Sequence, residues 1–154
     1  MKRISATSIA VASGVFATSA SAFIIGPPET ISRLKGNLTF HAASGPSFTC
    51  KVDMVMKTRT GVPSGRDQAK VVSATVSGGG DCPPGLSFER LPWVVVALSA
   101  KGGRIYGGTW AYPDNSCTAI YTDFSLNSAG SVDVTGPTCI EGRMSSTPPI
   151  DITP

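Results

Sequence analysis

Cys50, Cys82, Cys117, Cys139 and His41 are the side chains whose chemistry is most distinctive in this sequence. A zinc or redox site would need close thiols, as in Cys-x-x-Cys, or a histidine cluster. The cysteines are widely spaced and His41 is the only histidine. A serine triad would have to use His41, which follows Phe40 in a strand-like run with no nucleophile motif beside it. Paired-carboxylate chemistry would draw on Asp53, Asp81, Glu89, Asp114, Asp123, Asp133 and Glu141, which are scattered among small polar residues. Gly78-Gly79-Gly80 and Lys101-Gly102-Gly103-Arg104 lack the helix that a nucleotide loop must open, so they read as turns. The sequence therefore assigns no catalytic, cofactor-binding or metal residue, and predicts a protein that is not an enzyme. The cysteines read as structural disulfides.

That use of cysteine fits the start of the chain. Lys2 and Arg3 precede a run of small and apolar residues, and Ala20-Ser21-Ala22 offers the small side chains a signal peptidase requires. Residues 1–22 are thus expected to be a cleavable, helical signal peptide of bacterial type. Export to the periplasm, cell surface or medium follows, where disulfides persist. No later segment is apolar enough to span a membrane as a helix. Loss of Lys2 and Arg3 reduces the formal charge from +3 to +1. A nearly neutral chain without a basic stripe is not expected to bind nucleic acid.

The elements that must position these residues are strands. Gly, Pro and Ser punctuate the chain, and no stretch keeps apolar residues at helical spacing. Leu38 and Phe40 alternate with polar neighbours, as do Val52, Met54 and Met56, then Val72, Ala74 and Val76. The run from Pro92 to Leu98 is almost continuously apolar and suits a buried strand. Short strands are expected at Arg104–Tyr106 and Thr109–Ala111, with a bend at Gly107-Gly108. Ile120, Phe124 and Leu126 form a face answered by Val132 and Val134, and Ile140–Ser145 closes the series. About eight to ten short antiparallel strands predict an all-β sandwich or barrel. Residues 23–36 are expected to be an arm or edge strand, and residues 37–154 a single β domain.

The cysteines fall at the ends of two candidate hairpins. A register setting Phe124 opposite Val132, Thr122 opposite Val134 and Leu126 opposite Gly130 also sets Cys117 opposite Cys139. Pairing Val52–Met56 with Val72–Val76 leaves Cys50 near Gly78, and a glycine bulge at 78–80 would bring Cys82 back to it. Cys50–Cys82 and Cys117–Cys139 are the favoured pairs of three connectivities. Each loop is long enough for about 3 kcal/mol of unfolded-state constraint.

Trp93 and Trp110 read as core. Tyr121, on the outward face of the second hairpin, is the better surface-contact candidate. Phe23, Ile24 and Ile25 join it as an apolar start to the exported chain.

Gly36-Asn37-Leu38-Thr39-Phe40, a small-residue stretch leading to Cys50, and the run Val72-Ser73-Ala74-Thr75-Val76-Ser77-Gly78-Gly79-Gly80-Asp81-Cys82 resemble one known family. Leu91-Pro92-Trp93, an isolated Cys117 and Cys139-Ile140-Glu141-Gly142 complete the resemblance, to the alkane-oxidation protein activator (PraB-like) family. It covers most of residues 36–145. The chain departs from it by extra charge at Lys51, Lys57, Arg59, Arg66 and Lys70. The resemblance implies a small exported β protein that promotes growth on hydrocarbons, acting at an oil–water interface or the cell surface. It carries over no catalytic residue. The alternative is an extracellular filament or biofilm-matrix subunit that self-assembles by strand addition. In it, Phe23–Ile25 or the tail Ile150–Ile152 would complete a neighbour's sheet.

Overall fold

The computed structural model describes residues 23–43, 45–59, 68–112, 115–117, 120–135 and 139–154. The expected signal peptide, the loop from Gly61 to Gly65, Arg66 and Asp114 lie outside the described residues.

Every regular element among the described residues is a strand. The first four are β1 (Ile24–Gly26), β2 (Ile31–Phe40), β3 (Phe48–Thr58) and β4 (Ala69–Gly78). Then come β5 (Ser87–Phe88), β6 (Trp93–Ser99), β7 (Gly102–Tyr106), β8 (Trp110–Tyr112) and β9 (Asn115–Cys117). The last four are β10 (Thr122–Leu126), β11 (Val132–Thr135), β12 (Ile140–Thr147) and β13 (Asp151–Thr153). Eight of them, in the order β10-β11-β12-β2-β3-β4-β6-β7, form a closed antiparallel barrel, with β7 pairing back onto β10.

Period-two patterning explains which face turns inward. Leu34, Leu38 and Phe40 from β2 meet Val52, Met54 and Met56 from β3 and Met144 from β12 in one continuous core. The outward faces carry Arg33, Lys35, Lys51, Asp53 and Lys57, whereas a membrane barrel carries an apolar band there. Ion pairs cross directly between paired strands on that outer face, among them Lys35–Asp53 at 3.2 Å, Arg104–Asp123 at 3.0 Å and Arg143–Asp133. In each of these, the two residues are opposite partners in the ladder.

The barrel is capped at both ends. At one end β5, β8 and β9 form a three-stranded sheet. It brings Phe88 and Trp110 against Phe40, with ring centroids 5.7 Å away in each case. Trp93 joins through Phe88 at 5.4 Å, and both tryptophans are 1% exposed. At the other end β1 pairs only with β13, Ile25 standing opposite Ile152. This ribbon of the first and last strands is held by Gln68, whose side-chain amide donates to the Phe23 carbonyl and accepts from the Ala97 N–H at 2.8 Å. Thr58 Oγ1 adds a hydrogen bond to the Pro27 carbonyl at 2.5 Å.

Several local expectations need correction. β2 begins at Ile31, so residues 31–36 belong to the barrel and the arm is shorter than residues 23–36. Val52 and Met54 do face Val76 and Ala74, but a bulge beyond Val55 pairs Met56 with Val71, leaving Val72 outside the core. The β10–β11 register sets Phe124 opposite Val134 and Leu126 opposite Val132, two residues from the expected pairing. A shift of two keeps every side chain on its face, which is why the apolar pattern could not distinguish the registers. Ile120 lies before β10 and is 83% exposed rather than part of the buried face.

Candidate functional site

The disulfides position the rest. Cys50 is bonded to Cys82 with Cα atoms 4.9 Å apart, and Cys117 to Cys139 with Cα atoms 5.8 Å apart. Gly78, Gly79 and Gly80 all take positive φ, and a turn from the Gly79 carbonyl to the Cys82 N–H brings Cys82 back to β3. The second bond does not clamp a hairpin. Cys117 ends β9 in the small sheet, while Cys139 directly precedes β12 in the barrel. It therefore fastens one cap to the barrel wall, and Trp110 Nε1 donates to the Cys139 carbonyl at 3.3 Å beside it. All four thiols are consumed.

His41 lies where β2 leaves the barrel. Its Nδ1 is 2.9 Å from Ser47 Oγ and its Nε2 is 3.0 Å from Glu141 Oε1. The order hydroxyl–imidazole–carboxylate is that of a proton relay. The imidazole is 39% exposed and the carboxylate 55%, so water screens both. The cluster ties the end of β2 to the start of β12. Sequence reasoning missed Glu141 as a partner of His41, because the β2–β12 ladder that joins them crosses most of the chain, and it missed Ser47 although that residue is a local neighbour.

Two of the acids considered for catalysis, Asp123 and Asp133, are each held by an arginine on the neighbouring strand. Asp123 accepts from Arg104 Nε at 3.0 Å, which raises the pKa of that guanidinium. Asp133 accepts from Arg143 Nε and, at 3.0 Å, from its Nη2. That hydrogen bond holds the Asp133 carboxyl below the usual carboxylate range and raises Arg143. No group of three or more His, Cys, Asp or Glu is placed to hold a metal among the described residues.

The surface-contact candidates divide. Tyr121 lies beside β10, its ring centroid 6.5 Å from that of Tyr106 and 4.1 Å from the Arg104 guanidinium stacked on its face. Cation–π contact and the Asp123 ion pair thus fix Arg104 and Tyr121 as one unit. Tyr106 is 43% exposed and Ile120, next to Tyr121 in sequence, projects further still. This gives a polar-edged patch of two aromatic rings and an isoleucine. Ile25, by contrast, is 1% exposed and belongs to the core, so it offers no surface. Its neighbours Ile24, exposed, and Phe23, half-buried, sit on the ribbon.

The family described as "Alkane oxidation protein activator PraA/PraB-like" matches the chain over residues 1–154. Neither a curated protein nor a solved structure matches it.

Proposed function

Because the chain belongs to the PraA/PraB-like family of alkane oxidation protein activators, we propose that it is an exported, non-catalytic factor working where hydrocarbon meets water or the cell surface. The two disulfides fit an oxidising, extracellular or periplasmic compartment. The observation that carries the reading is the group of Ile120, Tyr106 and Tyr121, two neighbouring rings beside the most exposed isoleucine, on a barrel exterior that carries charged pairs and also exposes Ile31 and Leu98. Amphipathic rings with an apolar body and a polar tip adsorb at such boundaries, and Arg104 holds Tyr121 rigid for that contact. The protein would help oxidation by bringing oil and cell together, while the chemistry belongs to other proteins. Interfacial tension against n-hexadecane tests this. The purified exported protein lowers it, and Ile120→Ser with Tyr106→Ser loses most of the effect. Equal tension with an unrelated exported domain of similar size refutes the reading.

A second reading, a filament or matrix subunit, draws support from the terminal ribbon. Among the described residues β1 and β13 pair only with each other, which leaves each an edge that a neighbour's strand could take. Removing residues 23–30 deletes β1 but leaves β2 whole. Electron microscopy of culture supernatant would then show fibres lost while the monomer stays folded. Absence of fibres from the unmodified protein removes this reading.

A further inference from the structure

We infer that the barrel interior is a binding site for one saturated alkyl chain, closed by the β1–β13 ribbon and entered through a groove beside Ile150. This goes beyond adsorption at the outer patch and takes from the proposed function only the class of ligand.

The inference starts from an apolar cavity of about 20 Å³ at the ribbon end of the barrel. All its lining side chains are apolar, three of them methionines: Met54, Met56 and Met144. Such a lining has no donor or acceptor for a polar ligand, and burying an unmatched polar group there is costly. It suits a chain of methylenes alone. Eight strands give an interior that side chains can just fill or that can hold one small ligand. Here side chains fill most of it, and the residual space of about 20 Å³ has room for little more than one water-sized group.

Two features let that filling give way. Methionine is unbranched and flexible, and it repacks around ligands of different shape. Further, two of the filling groups, Ile25 and Ile150, come not from the barrel wall but from the ribbon and its approach. They move out if the ribbon lifts. The ribbon consists of only three paired positions, and Gln68 and Thr58 hold its β1 side to the barrel.

An entrance adjoins it. An open groove of about 600 Å³ runs between Lys101, the Asn127–Gly130 turn and Ile152. Ile150 lines both this groove and the interior cavity, so one side chain forms the partition between them. A chain lying in the groove reaches the interior by displacing Ile150 and then Ile25. It replaces their apolar contacts with its own.

The methionines supply the test. Apart from Met1, the only methionines in the sequence are the three that line the cavity. Methyl-labelled methionine therefore reports the interior and nothing else. Titrating the purified exported protein with n-dodecane should shift all three methyl resonances saturably. Across n-hexane to n-nonane, affinity should rise about fourfold per added methylene. Ile150→Ala, which opens the partition, should bind at least tenfold faster, and Val132→Phe, which fills the cavity, should bind weakly or not at all. Should Val132→Phe fail to fold, Ile150→Ala still decides. Unmoved methionine methyls in both the unmodified protein and Ile150→Ala overturn the inference, as do changes confined to Tyr106, Ile120 and Tyr121 in the same titration of uniformly labelled protein. The latter result would leave the surface reading standing. Methionine shifts in a protein that does not lower interfacial tension would sustain the interior site and remove the surface reading.

Discussion

Cys117 and Cys139 are bonded across two sheets, joining the end of β9 to the residue before β12. The bond sits against Trp110, whose indole N–H reaches the Cys139 carbonyl. It holds the aromatic cap on the barrel, where a hairpin clamp would only have reinforced one ladder.

Replacing both residues by serine should therefore release the cap as well as lower stability. The separation of 22 residues corresponds to a loss of about 3 kcal/mol. Thermal melting should show a lower midpoint, and tryptophan emission should move to the red as Trp110 gains water. For Cys50→Ser with Cys82→Ser, melting should fall by a similar amount while the emission of the folded protein stays put.

Gly36 lies between the inward-facing Leu34 and Leu38, opposite Met144 of β12. A Cβ there would overlap the Arg143 carbonyl of the neighbouring strand. Gly36→Ala should cost about 1–3 kcal/mol, the usual penalty of overpacking. Urea unfolding should show an earlier midpoint with an unchanged slope.

The Asp133–Arg143 pair makes a pH prediction. Arg143 depresses the Asp133 carboxyl in the folded state, so its contribution is complete above the unfolded carboxylate range. It is lost as pH falls through the depressed value. Asp133→Asn should melt slightly below the unmodified protein at neutral pH, and the gap should close as pH falls through the depressed value. Because the pair is on the surface, added salt should narrow the neutral-pH gap. A gap that widens in acid would contradict the assignment.

Much of this architecture was legible in the sequence, for a physical reason. Strand alternation at Val52, Met54 and Met56 reports burial directly, and so does the apolar run beginning at Trp93. Register is less visible, because a two-residue slip between β10 and β11 leaves Phe124 and Val134 on the same face. Bulges are invisible to alternation until they break it, as at Val72. The surface patch was half legible. Tyr121 reads as outward, but Ile120 looks like the start of a buried face, and only the late start of β10 exposes it. Ile25 failed the opposite way, since nothing local says that the two chain ends pair and cover the barrel.

The proposed role is assistance to alkane oxidation through contact with the hydrocarbon and its boundary. The most direct measurement is the rate of n-hexadecane consumption by cells lacking the protein, with purified exported protein added to the medium. Acetate consumption serves as the control. The account predicts faster hexadecane use, unchanged acetate use, and little gain from Ile120→Ser with Tyr106→Ser. Equal acceleration on acetate, or full activity of that double variant, would contradict it.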